Sequence, residues 1–355
     1  MFDPVSRAAA LTLAANAAGL SDLDAPLRWL AWRDEQLRSY EPPGGGVSGV
    51  EVPRLTSCNA LVVCGSAMAA VPLEAADLFV DVLYPAGCRT VVLSGGVGRG
   101  TLALWRELVE KDLASHFADA TWSVGSQPGS VVLDAQHGVE KPVLAASDEV
   151  PQILAERRRY CCEADIMLEL FVRRCSQRGL QVRFGGDPMA DGDGGAIGTA
   201  HRGGTQGPAD AFVYLETAST NSGANCALSA ETLGLLGIDV DTAEVALVQH
   251  PQAHRRACLT WEKQRGRPPL GWCPQPTEAA QKVSTAEMLL YALGEFRRID
   301  AYAEPSKGFL VMPPDFPRKF AAPLAALEPQ LQQLIREGLR AGLATSYAAS
   351  LGIEE

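Results

Sequence analysis

Asn59-Ala60-Leu61-Val62-Val63-Cys64-Gly65-Ser66-Ala67 decides how this chain is read. From Ala60 to Cys64 every side chain is apolar. A strand with one wet face alternates apolar and polar residues. An unbroken apolar run is the pattern of a strand covered on both faces, as in a parallel sheet, so Asn59–Cys64 reads as a strand. Gly65-Ser66 then turns the chain, and Pro72–Tyr84 reads as a helix. Thr90-Val91-Val92-Leu93 is a second strand of the same kind, ending at Ser94-Gly95-Gly96. Buried strands separated by helices predict an α/β fold with right-handed connections.

The pattern continues in both directions. Downstream come helices over Thr101–Ser115 and Ala164–Arg178, a strand over Ala211–Leu215 and a helix over Ser222–Leu236. A strand over Val245–Gln249 and a helix over His254–Gln264 follow. Upstream, helices are expected over Val5–Leu20 and Asp22–Tyr40, before the breaking run Glu41-Pro42-Pro43-Gly44-Gly45-Gly46. The chain should close with a long helix near Phe316–Leu343, broken or kinked at Pro323 and Pro329. The expected fold is α/β, a Rossmann-like open, mostly parallel sheet with helices on both faces, plus extra N- and C-terminal helices. Residues 1–46 form the N-terminal helices and linker, 47–265 the core, and 266–355 a C-terminal helical part packed on that core. Two stretches interrupt the core, near 117–159 and 184–210. The second is glycine-rich and reads as a surface loop.

Composition narrows the function. The chain has 355 residues, 47% of them hydrophobic, which excludes global disorder. Its 31 Lys and Arg face 42 Asp and Glu, for a net charge of −11. That balance argues against broad binding to nucleic acid or to an anionic membrane. Nine cysteines show neither a Cys-x-x-Cys pair nor zinc spacing with histidine, so no metal site is expected and reduced thiols are the simple reading. No apolar run approaches the roughly 20 residues that span a bilayer. Ala8–Leu20 is interrupted by Thr12 and Asn16 and reads as a packed helix rather than a leader. A cytoplasmic protein is expected, with its oligomeric state open.

In an open parallel sheet, ligands bind beyond the carboxyl ends of the strands. The candidate residues sit there. Gly65, Ser66 and Ala67 follow the first strand, where glycine permits close backbone approach, though any strand-to-helix turn favours Gly and Ser and ordinary turn chemistry is the simpler account of them. Ser94, Gly95, Gly96 and Gly98 follow the second, in a loop whose bare N–H groups and following helix suit an anion. It lacks the Gly-Lys-Ser/Thr of a phosphate-binding P-loop and the spacing of the dinucleotide fingerprint. Glu216, Ser219, Thr220, Asn221 and Asn225 lie between a strand and a helix. Ser219 or Thr220 could cap that helix, and the two amides could fix polar edges. Glu163 opens another helix, as ligand residue or as a first-turn acid. Arg255 or Arg256 could clamp a carboxylate. No nucleophile elbow, zinc-protease helix or nucleic-acid module is present.

These residues, taken in order, carry a resemblance. Gly65-Ser66-Ala67 after an apolar strand, Leu93-Ser94-Gly95-Gly96-Val97-Gly98, Cys162-Glu163-Ala164 and Ser219-Thr220-Asn221-Ser222-Gly223-Ala224-Asn225 follow the pattern of the YdcF/SanA/ElyC family. Val248-Gln249-His250-Pro251 with Arg255-Arg256, and Asp315-Phe316-Pro317, extend it. The chain most resembles the YdcF-like members of this domain-of-unknown-function family. The resemblance implies a Rossmann-like core and binding of S-adenosylmethionine, with no reaction firmly attached. Ala224 stands where the family usually has Glu, which favours binding over catalysis. The expected function is binding of S-adenosylmethionine or a related nucleoside ligand at the sheet's carboxyl edge, with methyltransferase-like activity possible. A phosphate- or nucleotide-binding hydrolase or transferase, and a non-catalytic ligand sensor, are the alternatives.

Overall fold

The computed structural model describes residues 4–42, 55–96, 104, 131–134, 139–142, 162–186, 188, 211–275 and 284–340. Its elements run α1 (Pro4–Ala17), α2 (Asp24–Leu30), β1 (Ala60–Cys64), α3 (Ala70–Leu78), β2 (Thr90–Ser94), β3 (Val131–Asp134) and β4 (Val139–Pro142). Then come α4 (Glu163–Gln177), β5 (Val182–Gly186), β6 (Ala211–Glu216), α5 (Ser222–Leu235), β7 (Val245–Val248), α6 (Pro251–Arg265), β8 (Leu270–Trp272), α7 (Thr285–Ala303) and α8 (Arg318–Arg340). They fall into two compact units. One is Glu35–Val248; the other joins Met1–Asp34 to Gln249–Glu355.

The Glu35–Val248 unit is the α/β module. Its strands stand in the order β5-β6-β2-β1-β7, and each pair is parallel. Ala60 pairs with Thr90 on one side and with Val245 on the other. All residues of β1 and β7 are buried, as an unbroken apolar run requires. From β1 the chain crosses to β2 on one side, and from β6 it returns to β7 on the other. Right-handed crossovers in opposite directions put α3 and α5 on opposite faces of the sheet. The reversal at β1 makes its carboxyl end a switch point, where ligands of open sheets bind. Near the outer edge the β5–β6 register slips between Phe184 and Gly186. A Cβ on Gly185 would lie 2.1 Å from the Tyr214 ring, so only glycine fits against that ring.

Several expectations are corrected in this unit. The interruption near 117–159 contains an antiparallel hairpin, β3 with β4. Val182–Gly186 is a strand, so the first three residues of the loop expected near 184–210 belong to it. The helix expected over Pro72–Tyr84 is α-helical at Ala70–Leu78 and widens to a π turn at Phe79–Leu83. The helix expected over Thr101–Ser115 lies outside the described residues except for Leu104, which is helical and buried.

The second unit is mainly helical. Trp29 stacks on Phe296 at 5.4 Å between ring centroids and meets Phe316 edge-on at 5.7 Å. The helix expected over Asp22–Tyr40 stops at Leu30. Tertiary hydrogen bonds override its propensity: Arg33 Nε donates to the Cys273 carbonyl at 2.8 Å, and the Asp34 N–H donates to the Gly271 carbonyl at 2.8 Å. Helix α7 was hidden in the sequence, although Ser284 and Glu287 form a capping box at its start. Helix α8 runs through Pro323 and Pro329 without a break. No helix among the described residues is long and apolar enough to cross a membrane.

Candidate functional site

The carboxyl ends of β1, β2 and β6 meet the first turn of α4. Cys162 is the α4 N-cap, and Asp165 closes a capping box on it, its Oδ2 accepting from the Cys162 N–H and Sγ–H at 3.1 Å each. The two glycines after β2 anchor the helix. The Glu163 N–H donates to the Gly96 carbonyl at 3.0 Å, and the Ala164 N–H to the Gly95 carbonyl at 2.8 Å. The glycine N–H groups face the other way. Gly95 donates to the Glu216 carbonyl at 2.9 Å, and Gly96 to the Ser219 carbonyl at 2.7 Å. Gly95-Gly96 is thus a splice between β2, α4 and the loop after β6. The donors expected to meet an anion are spent within the protein at these two positions.

Glycine is required by close packing here. A Cβ on Gly65 would lie 2.2 Å from Glu163 Oε2, and one on Gly95 2.9 Å from Glu163 Cβ and 3.0 Å from Gly65 Cα. A Cβ on Gly96 would lie 2.5 Å from the Ser219 carbonyl oxygen and 2.6 Å from that of Thr217. Gly65 and Gly95 therefore form the floor on which the Glu163 side chain rests. Glu163 is 8% exposed, so its carboxylate is nearly enclosed at the edge of the sheet.

Glu216 is fully buried and organises the neighbouring loop. Its Oε1 accepts from the N–H groups of Ala218 and Ser219 at 2.7 and 2.8 Å, and its Oε2 accepts from the Ser94 hydroxyl at 2.5 Å. Such charge-assisted bonds satisfy a buried carboxylate and fix the loop. Ser94 Oγ also lies 3.5 Å from Ser219 Oγ.

The other expected residues divide. Ser66 is buried and accepts the Met68 N–H at 3.0 Å, a turn-forming role; Ala67 is buried beside it. Asn221, rather than Ser219 or Thr220, caps α5: its Oδ1 accepts the Ala224 N–H at 3.0 Å. Asn221 and Thr220 are exposed, whereas Asn225 is buried. Gly98 lies outside the described residues. Arg255 and Arg256 belong to the second unit and have acidic partners there. Arg255 donates to Asp315 at 3.0 Å, and Arg256 pairs with the fully buried Glu295. Arg256 holds a core ion pair rather than an open clamp for a carboxylate.

Asp165 was missed in the sequence. Its Oδ1 is buried and has no hydrogen-bond partner. An acid three residues after Cys162 was the available signal, obscured because Cys stands where Ser or Thr usually caps. Among the described residues no group of three or more His, Cys, Asp and Glu side chains is arranged to hold a metal ion. None of the eight described cysteines forms a disulfide, and all are buried. No family model matches the chain, and no curated protein matches it.

Proposed function

We propose that the Glu35–Val248 unit binds S-adenosylmethionine or a related nucleoside ligand at the carboxyl edge of its sheet, as the resemblance to YdcF-like proteins implies. The observation that carries this reading is the Glu163 carboxylate resting on Gly65 and Gly95, which only residues without a Cβ permit. A carboxylate at this edge accepts hydrogen bonds from ribose hydroxyls and attracts a cationic centre. The engaged Gly95 and Gly96 N–H groups make the same place a poor cradle for phosphate. That favours the nucleoside reading over the phosphate-binding hydrolase.

Glu163 takes the hydroxyl or cationic part of the ligand, while Glu216 and Ser94 hold the adjoining loop in shape. When bound, S-adenosylmethionine supplies an electrophilic methyl group on sulfur. Transfer of that methyl would ask of this chain mainly positioning. Binding is the primary function; methyl transfer depends on an acceptor.

The test is thermal unfolding of the wild type and of Glu163→Gln with S-adenosylmethionine, S-adenosylhomocysteine, ATP and inorganic phosphate. A ligand at about 100 times its dissociation constant adds about 2.7 kcal/mol. The reading expects a rise in melting temperature with the two adenosyl compounds that shrinks in Glu163→Gln. A rise with phosphate or ATP alone would replace it with the hydrolase reading.

A further inference from the structure

Two thiols meet at the amino end of the sheet, the end opposite Glu163. Cys58 stands two residues before Ala60 and Cys88 two before Thr90, and Ala60 and Thr90 are register partners in β1 and β2. Each sulfur leans along its own segment toward that pair. Cys58 Sγ lies 3.4 Å from the Ala60 carbonyl oxygen, and Cys88 Sγ 3.5 Å from that of Thr90. The two sulfurs also hydrogen-bond each other. Both backbones are fixed: the Cys58 N–H donates to the Ala86 carbonyl at 3.1 Å, and the Cys88 N–H to the Leu83 carbonyl at 2.9 Å. Neighbouring strands run about 4.8 Å apart, within the roughly 4.4–6.8 Å that separates the Cα atoms of a disulfide.

The two thiols are unequal. The hydrogen bond from Cys88 lowers the Cys58 pKa, and backbone hydrogen bonds at Ala246 and Ala60 lower it further, against burial and the charge of Glu244. Burial pushes the Cys88 thiol up, and its bond to Cys58 adds to that, against a smaller lowering by the Thr90 backbone and Arg89. The thiolate is the nucleophile, so Cys58 is the sulfur that attacks first. The pair lies one residue beneath the surface. Cys58 is 3% exposed and sits between the exposed Ser57 and Asn59, and Gly87 beside Cys88 is exposed. A small oxidant has only this single layer to pass.

We propose that Cys58 and Cys88 form a redox site, which hydrogen peroxide converts into a disulfide joining the entries to β1 and β2. The Cys58 thiolate attacks one peroxide oxygen and the O–O bond breaks. Cys58 becomes a sulfenic acid, and the departing hydroxide takes up the proton that Cys58 had released. The Cys88 sulfur then attacks the Cys58 sulfur and the S–O bond breaks. That hydroxide leaves as water with the Cys88 proton. Two thiols give up two electrons, and one peroxide becomes two waters. The new bond closes residues 58–88 into a covalent loop that contains β1 and α3. The whole length of β1 separates the pair from Gly65, so the site is independent of the function proposed for the Glu163 edge.

The experiment treats the folded full chain with hydrogen peroxide at pH 7, then quenches, denatures, alkylates and maps the peptides by mass. Wild type, Cys58→Ser and Cys88→Ser are compared. In the wild type a Cys58–Cys88 linked peptide should appear, two of the nine thiols should escape alkylation, and dithiothreitol should restore both. Cys175 is the internal control: it is fully buried and burial pushes its thiol up to about 12, so it should oxidise roughly tenfold or more slowly. In Cys88→Ser the reaction should stop at the Cys58 sulfenic acid, trapped with dimedone. In Cys58→Ser, Cys88 should stay reduced over the same time. The wild-type result stands without either variant. Cys58 and Cys88 both remaining open to alkylation, pairing instead with other cysteines, or joining only after unfolding in urea would overturn the proposal.

Discussion

Adding a single methyl group at Gly65 tests the floor beneath Glu163. The Cβ of Gly65→Ala would stand 2.2 Å from Glu163 Oε2 and 3.2 Å from both Gly95 Cα and the Ser94 carbonyl oxygen. The backbone neighbours need yield only a few tenths of an ångström. The carboxylate must retreat by about 1 Å to recover van der Waals distance. Gly65 does not have a positive φ, so the substitution adds no backbone strain of its own. Overpacking of this kind costs about 1–3 kcal/mol of stability. Moving the carboxylate also removes a charge-assisted hydrogen bond to ligand, worth about 1.5–3 kcal/mol, or a tenfold to hundredfold loss of affinity. The assay pairs urea unfolding with calorimetric titration of S-adenosylmethionine. Gly234→Ala is the control: that glycine has open space around its missing Cβ, so the variant should keep both stability and affinity. If Gly65→Ala matched the control in both measurements, the close approach of Glu163 to Gly65 would be refuted.

Other outcomes follow from the same physics. Burial holds His250 and His254 well below the usual histidine range, at about 4 and about 3, with Arg256 and Arg298 lowering the first and Arg33 and Arg255 the second, against a raising effect of Glu295 on His250. Folded pKa values below the unfolded ones give stability that is complete above about pH 6.5 and lost as pH falls toward them, roughly 2 kcal/mol per histidine by pH 5. Urea midpoints at pH 7 and 5 check this, and a flat profile would contradict it. Arg256→Met strands the buried Glu295 with Arg298 alone and should cost about 3–5 kcal/mol, whereas the joint Arg256→Met, Glu295→Leu change should recover most of that; urea unfolding of both variants decides. Asn221→Ala removes the α5 cap and should lower stability by about 1 kcal/mol while leaving ligand affinity near wild type, since Asn221 is exposed and its Oδ1 already caps the helix.

Four strands of the sheet were legible because they are buried on both faces, whereas β5, whose residues up to Gly185 are half-buried or exposed, was not read as a strand. β1, β2, β6 and β7 read directly from apolar runs and match their observed ends to within one residue. The elements that escaped are those set by tertiary partners. Helix α2 ends early because Arg33 and Asp34 pair with carbonyls from Cys273 and Gly271, more than two hundred positions away in the chain. Helix α8 keeps its prolines because an amphipathic face packed in its unit outweighs two missing N–H donors. At the site, the sequence placed Gly65, Gly95, Gly96, Glu163 and Glu216 at one edge, and the structure brings them together. Their roles were less legible. Glycine-rich spacing suggests free N–H groups, but whether those groups face a ligand or a neighbouring carbonyl depends on packing. In the same way Glu216 turns inward to hold its own loop, and Arg256 finds a buried partner on α7.

The most direct test of the proposed function is a calorimetric titration of the full chain with S-adenosylmethionine, wild type against Glu163→Gln. The change removes one charge and keeps the shape of the side chain, so the Gly65–Gly95 floor should stay intact. Saturable binding that weakens at least tenfold in Glu163→Gln is the predicted result. No binding at millimolar ligand, or equal binding by both proteins, would contradict it.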